Sequence, residues 1–298
     1  MQQLAPIALF VYNRPEHTRR TLKFLKQNFL ADESRLFIFS DAAKDDRQSA
    51  DVAKVRDVIR SVDGFKSVHI TERNTNFGLA NSIIDGVSTL TGKYGKVIVF
   101  EDDLISSPFT LQYFNDALKN YENEERIMHI GAYMYPLKNK GLPQTFFYRA
   151  ASSWGWATWG RAWRNFEPDI DKIIGQFDAD KKYRFSIDGK MNFWKQIREF
   201  KRGKNNSWAI RWYASVFLNN GLTLNPSVSL INNIGHDGSG IHSGKNDIYD
   251  VKISNHRITE FPAIITENND AYQAIKHFLQ NRKGSIFQRI VRFIKEKF

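Results

Sequence analysis

Three consecutive carboxylates, Glu101-Asp102-Asp103, follow the apolar run Lys96–Phe100. Adjacent acids repel one another, and a cation between them relieves the repulsion. Oxygen donors without neighbouring histidine or thiolate suit Mg²⁺ or Mn²⁺, shared between protein and substrate phosphates. Such an ion neutralises charge on a departing diphosphate. The same triplet also reads as a solvated acidic turn leading into the helix after Pro108. Its position favours the first reading, because open parallel sheets bind ligands beyond the carboxyl ends of their strands. A second group stands at Tyr12-Asn13-Arg14-Pro15, after another apolar run. Arg14 suits a bidentate grip on phosphate oxygens, Tyr12 a stack on a base and Asn13 a contact to its edge. Asp41, after a further run, would accept from base or ribose. Alone, Asn-Arg-Pro is equally an ordinary strand-to-helix turn. Neither G-x-x-x-x-G-K-[ST] nor G-x-G-x-x-G occurs, so the usual ATPase and dinucleotide loops are unsupported.

The elements that position these groups follow from periodicity. Ala5–Tyr12, Leu36–Ser40, Ser67–Thr71 and Lys96–Phe100 read as strands. Thr18, Leu22, Leu25 and Phe29, then Val52, Val55, Ile59 and Val62, then Leu79, Ile83, Val87 and Leu90, form three helical stripes. Pro15 suits a first helical turn, and Ser107-Pro108 predicts a further helix with serine as cap. Short apolar strands between helices imply a parallel sheet covered on both faces. Beyond residue 125 the alternation breaks up, with His129–Tyr135 and Thr145–Ala150 as candidate strands. All seven tryptophans lie between Trp154 and Trp212. Trp156, Trp159 and Trp163 have the spacing of a buried helical face. Indole faces also stack on sugars, and Trp154 and Trp156 are the candidates for that. The second half is expected to build onto an edge of the first.

Composition narrows the class. The 298 residues are 42% hydrophobic and 25% charged, an ordinary globular balance. Cysteine is absent, which removes disulfides, thiolate metal sites and cysteine nucleophiles. No apolar run is long enough to span a bilayer, and the N-terminus lacks the pattern of a secretory leader; a cytoplasmic protein is expected. Of the net charge of +11, the segment 276–298 carries +6. Charge gathered in a tail, rather than spread over one face, argues against nucleic acid as partner. On a helix, Phe287, Val291, Ile294 and Phe298 form a stripe flanked by Arg289, Arg292, Lys295 and Lys297. Such a helix suits an anionic membrane surface, on the inner face of the cytoplasmic membrane. Docking on the protein's own core, or on another subunit, is the other reading.

The layout resembles a GT-A glycosyltransferase, and more narrowly N-acetylglucosaminyltransferase I and its bacterial relatives. The resemblance rests on Val11-Tyr-Asn-Arg-Pro15, on Arg73-Asn-Thr-Asn-Phe-Gly-Leu-Ala-Asn81 and on Glu-Asp-Asp as a DxD motif. It extends through Trp154-Gly-Trp156 to Trp163 with Glu167-Pro168, and the glycine-rich loop Asn233–Gly244. It implies an α/β fold with a mostly parallel, Rossmann-like sheet flanked by helices, a smaller acceptor-side half and a C-terminal amphipathic helix. Residues 1–125 would bind donor, 126–275 would form the acceptor side and 276–298 the basic tail. It further implies a nucleotide-sugar donor, a UDP-sugar by preference, a divalent metal and inversion at the anomeric carbon. The acceptor would be a hydroxyl of a bacterial surface glycan or lipid-linked saccharide.

Carried across, Asp103 is the metal ligand, Asp102 holds the ribose and Glu101, with Trp156, meets the donor sugar. Arg14 and Asp41 contact the nucleotide, and Asn76, Phe77 and Gly78 border its pocket. The glycine-rich loop closes over the diphosphate; as an alternative it is a flexible surface connection. The family's base, an aspartate between two tryptophans, has no counterpart in Trp208-Ala-Ile-Arg-Trp212. Asp237 and then His236 are the substitutes, with His236 equally suited to the diphosphate. Trp154 and Arg211 are assigned to the acceptor, Arg211 being alternatively a buried ion-pair partner. Two competitors remain: a sugar-phosphate nucleotidyltransferase, whose triphosphate loop is not seen, and a non-catalytic glycan- or membrane-binding module, which leaves the acidic triplet unexplained.

Overall fold

The computed structural model describes residues 3–137, 141–237 and 248–282. The first half alternates β1 (Ile7–Val11), α1 (Pro15–Lys26), β2 (Arg35–Ser40), α2 (Asp46–Arg60), β3 (Ser67–Glu72), α3 (Gly78–Tyr94) and β4 (Lys96–Glu101). Strands β1 and β4 are buried almost throughout, which is why they read as continuous apolar runs rather than alternating ones. Pro15 occupies the first turn of α1, where its missing N–H costs nothing. Gly95, in the left-handed conformation, ends α3. Phe29 and Leu79, expected on buried stripes, are exposed; Phe29 lies beyond the end of α1, and Leu79 is in the first turn of α3.

Next come β5 (Leu104–Ser106), α4 (Thr110–Asn120), β6 (Ile127–Gly131), β7 (Thr145–Tyr148) and β8 (Trp156–Trp159). The helix expected from Pro108 starts at Thr110 instead. Ser107 makes a local turn before it, its Oγ accepting from Phe109 N at 3.3 Å and its carbonyl from Thr110 N at 3.1 Å. Five helices follow: α5 (Gly160–Trp163), α6 (Ile170–Gly175), α7 (Ala179–Phe185), α8 (Phe193–Lys201) and α9 (Trp208–Leu218). Strands β9 (Leu222–Pro226) and β10 (Ile231–Asn233) precede α10 (Asn269–Asn281). Helix α10 runs across the expected start of the tail at residue 276 and buries Ala271, Tyr272, Ile275 and Leu279. The remainder of the proposed amphipathic segment, 283–298, lies outside the described residues.

One eight-stranded sheet joins both halves in the order β3-β2-β1-β4-β8-β6-β9-β7. The strands from β3 to β4 are parallel. Strand β8 is antiparallel to both its neighbours, and β7 is antiparallel to β9. The sheet is therefore mostly parallel, as expected, with six strands running one way and only β8 and β7 reversed. The periodic reading of Trp156, Trp159 and Trp163 as one helical face is corrected: the first two lie on β8, and only Trp163 is helical. Helices pack on both faces of the sheet here, so β8 is buried at every position and loses the period-two alternation that would identify it. Leu22, Leu25, Val55, Ile59, Leu111 and Phe114 cover one face of the sheet. Ile83, Val87, Trp163, Trp208 and Trp212 close over Trp156 on the other. Among the described residues no helix is long and apolar enough to cross a membrane.

Candidate active site

The parallel strands end together. Asp41 N donates to Val11 O at 3.2 Å, tying the end of β2 to that of β1. The β4 register pairs Glu101 with Phe10, so the acidic triplet emerges beside Tyr12-Asn13-Arg14. The Asp102-Asp103 turn is pinned from both sides. From α1, the Thr21 hydroxyl donates to Asp102 O at 2.8 Å and accepts from Leu104 N at 3.1 Å. From the second half, β10 pairs antiparallel with β5, and Ile234 N donates to Asp103 O at 2.8 Å.

Arg14 reaches into this turn with one nitrogen. Its Nη2 donates to Asp103 Oδ2 at 2.9 Å and also to Asp102 Oδ1. Burial works against the guanidinium charge, and the two carboxylates overcome it, raising the Arg14 pKa. Burial is also the main cause that raises the Glu101 pKa, with repulsion from Asp103 and Asp102 adding to it. Asp102 is raised by burial as well, with Arg14 opposing.

A divalent ion fits these donors. Two carboxylate oxygens converge on one position that a cationic nitrogen occupies, and hard oxygen donors match Mg²⁺ or Mn²⁺. Among the described residues no cluster of three or more acidic, histidine or cysteine side chains forms a closed cage. An ion on this pair would take further ligands beyond the two carboxylates, as Mg²⁺ does from phosphates and water. Gly235 roofs the position: a Cβ there would collide with Asp103 Oδ2 and lie 2.9 Å from Arg14 Nη1. Gly235 N donates to Asn233 Oδ1 at 2.7 Å, which shapes the turn out of β10.

Asp237 and His236 sit directly beyond this roof. Asp237 Oδ2 lies 3.1 Å from His17 Nε2, and its side chain is half exposed. The His236 ring stands edge-on to Trp154, with centroids 5.1 Å apart, and Tyr249 lies behind it. Trp154 is partly buried and also meets Tyr133 at 4.5 Å. Gly155, at φ +63°, separates the two adjacent tryptophans; a Cβ there would run into Ile231 Cδ1. Residues 238–247, including the rest of the glycine-rich loop, lie outside the described residues.

Three assigned side chains are engaged within the fold. Trp156 is fully buried. Its ring stacks on Trp208 at 5.2 Å and on His129 at 5.4 Å, so it packs the core rather than meeting a donor sugar. Arg211 is buried on α9, where it donates to Ser207 O and Pro168 O, each at 3.3 Å, and lies over Phe200. Among the described residues it forms no ion pair; backbone carbonyls and an aromatic face accommodate its charge. Asp41 is also buried, with its oxygens accepting from Phe77 N at 2.9 Å and Gly78 N at 2.8 Å. It also accepts from Asn76 Nδ2 at 3.3 Å. It thus satisfies the open amides of α3 and holds segment 76–78 at the pocket edge.

The remaining assigned residues stay at the strand ends. Tyr12 OH donates to Gln48 Oε1 and accepts from Lys44 N at 3.0 Å. Asn13 is half-buried between Tyr12 and Arg14. Phe77 is exposed, with the Arg73 guanidinium 3.8 Å from its ring centre. Sequence reasoning missed His17. The signal was its spacing: three residues after Arg14 at the helix start, which puts both on one side of the first turn.

No family model matches the chain, and no curated protein does. Solved structures overlap with it loosely. A mannosyltransferase from Pyrobaculum calidifontis, in complex with GDP-Man and Mn²⁺, aligns over 73% of each chain at 12% identity, with a TM-score of 0.41. Mouse xyloside xylosyltransferase 1 aligns over 71% of this chain and 80% of its own, at 12% identity and a TM-score of 0.35. Staphylococcus aureus TarS aligns over 49% of this chain and 24% of its own, at 18% identity and a TM-score of 0.30. At such scores the site has to be interpreted from its own geometry.

Proposed function

We propose that this chain is a metal-dependent glycosyltransferase. It would move a sugar, with inversion, from a nucleotide-sugar donor to a hydroxyl of a surface glycan or lipid-linked saccharide. A UDP-sugar is the donor favoured by the sequence resemblance. One observation carries the reading: Asp102 and Asp103 converge on a single cationic position at the carboxyl ends of the parallel strands, under Gly235.

Asp103, joined by Asp102, would hold Mn²⁺ or Mg²⁺, which when bound neutralises charge on the diphosphate leaving group. The resemblance assigns Asp102 to the ribose, but its Oδ1 converges on the same position. Arg14 adds positive charge to the same oxygens. Tyr12, Asn13 and the Asn76–Gly78 edge border the nucleotide, and Glu101 meets the donor sugar. Asp237, exposed and beside the roof, takes the proton of the acceptor hydroxyl, with His236 as the second candidate. The freed oxygen attacks the anomeric carbon, and the nucleoside diphosphate departs from the opposite side. Trp154 offers an aromatic face to the acceptor.

A thermal-shift panel of nucleotide sugars, each with and without Mn²⁺, tests the proposal. Stabilisation by a nucleotide sugar that requires metal, and that Asp103→Asn abolishes, is the expected result. Stabilisation by a nucleoside triphosphate with a sugar phosphate would point to nucleotidyl transfer instead. Stabilisation by glycan alone would leave a binding module.

A further inference from the structure

We infer that Arg14 is a built-in counter-cation that occupies the metal position until a donor diphosphate draws it away, so that metal and donor bind as a pair. The inference rests on the metal-dependent transfer proposed above and adds an order of events to it.

The geometry is specific. A guanidinium that recognises a carboxylate ordinarily lays two nitrogens against two oxygens of one group. Arg14 instead places a single nitrogen, Nη2, between Asp102 Oδ1 and Asp103 Oδ2, on two different residues. That is how a point cation would sit. The pair is largely shielded from water, with side-chain exposures of 19% for Arg14, 6% for Asp102 and 13% for Asp103. At that burial the attraction is far stronger than at a free surface. A metal approaching alone must displace this nitrogen and leave a buried guanidinium without a partner, which is costly.

A diphosphate removes that obstacle. Its oxygens offer Arg14 new anionic partners at the moment they add oxygen ligands to an ion on the Asp102–Asp103 pair. Gly235 extends the coupling to the second half of the chain. It lies against both Asp103 Oδ2 and Arg14 Nη1, so an outward swing of Arg14 changes what the turn from 233 to 237 rests on. The coupling is reciprocal: whatever metal gains from donor, donor gains from metal.

Titration with Mn²⁺ alone, read by electron paramagnetic resonance as free ion, is the test. Arg14→Gln is expected to bind Mn²⁺ about tenfold more tightly than the unaltered protein, because the internal competitor is gone. Adding UDP or GDP is expected to tighten Mn²⁺ binding to the unaltered protein by more than it does for Arg14→Gln. Equal Mn²⁺ affinities for the two proteins without nucleotide would overturn the inference while leaving metal-dependent transfer standing. If neither protein binds Mn²⁺ with or without nucleotide, the transferase reading falls as well. A second measurement guards against a misfolded variant. In the unaltered protein labelled with ¹⁵N-arginine, the Arg14 side-chain resonances should move with Mg²⁺ plus nucleoside diphosphate and stay in place with Mg²⁺ alone. A full shift with Mg²⁺ alone would refute the proposed order.

Discussion

Asp103 is held by its own backbone before any ligand arrives. Ile234 N bonds to its carbonyl, Thr21 bonds to Asp102 and Leu104 on either side of it, and β5 continues into a ribbon with β10. Asp103→Asn should leave this scaffold in place and lower kcat/KM at least a hundredfold, with little change in melting temperature. Gly235→Ala makes the opposite kind of change, adding a methyl where Asp103 and Arg14 already lie. It should cost at least tenfold in kcat/KM, and activity should not return at higher Mn²⁺ because the roof itself has shifted. Steady-state kinetics on both variants would check this; a fully active Gly235→Ala enzyme would show that the roof does not bear on turnover. At this scale the sequence was legible where chemistry is local. Three acids after an apolar run, and an arginine after another, announce themselves. The glycine-rich loop was singled out too, but not why position 235 must be glycine, because that constraint comes from Asp103 and Arg14, both more than a hundred residues earlier in the chain.

Elements place these residues by their ends. Helix α3 starts where Asp41 accepts from Phe77 N and Gly78 N, so one carboxylate joins β2 to the helix and sets the edge of the pocket. Asp41→Ala would leave those amides unpaired and cost about 2 kcal/mol, measurable by urea unfolding. Nucleotide affinity should fall in parallel as segment 76–78 loosens. Strands β1 to β4 and helices α1 to α3 were legible because strand and helix alternate and each keeps its own period. Strand β8 was not. Trp156-Ala-Thr-Trp159 is buried at every position, so no alternation betrays it, and the tryptophan spacing imitates a helix. Arg211 misled for a related reason. A charged side chain suggests a site, whereas here carbonyls of Ser207 and Pro168 and the ring of Phe200 accept it inside the fold.

Across the whole molecule, the tryptophan cluster fastens the two halves together. Trp156→Ala should cost about 3–5 kcal/mol by emptying a large space between α3, α9 and the sheet. His129, stacked on Trp156 and accepting from Trp212 Nε1 at 3.1 Å, belongs to the same cluster. Burial lowers its pKa from 6.5 to about 3. As pH falls below 6.5 the unfolded chain takes up this proton and the folded one does not. Stability is therefore lost at about 1.4 kcal/mol per pH unit until the folded pKa is reached. His129→Gln should be less stable at pH 7, with the difference shrinking by about 2–3 kcal/mol by pH 4.5; urea midpoints at both values would show it. The position of β8 also has a consequence for the chain as it leaves the ribosome. The outer edge of β4 is complete at Glu101, yet its partner ends at Trp159. At translation speeds of about 5–20 residues per second, that edge stays open for several seconds. An unpaired buried-type strand is a template for foreign pairing, so the nascent chain should be most vulnerable to aggregation, and most in need of a holding chaperone, during that interval.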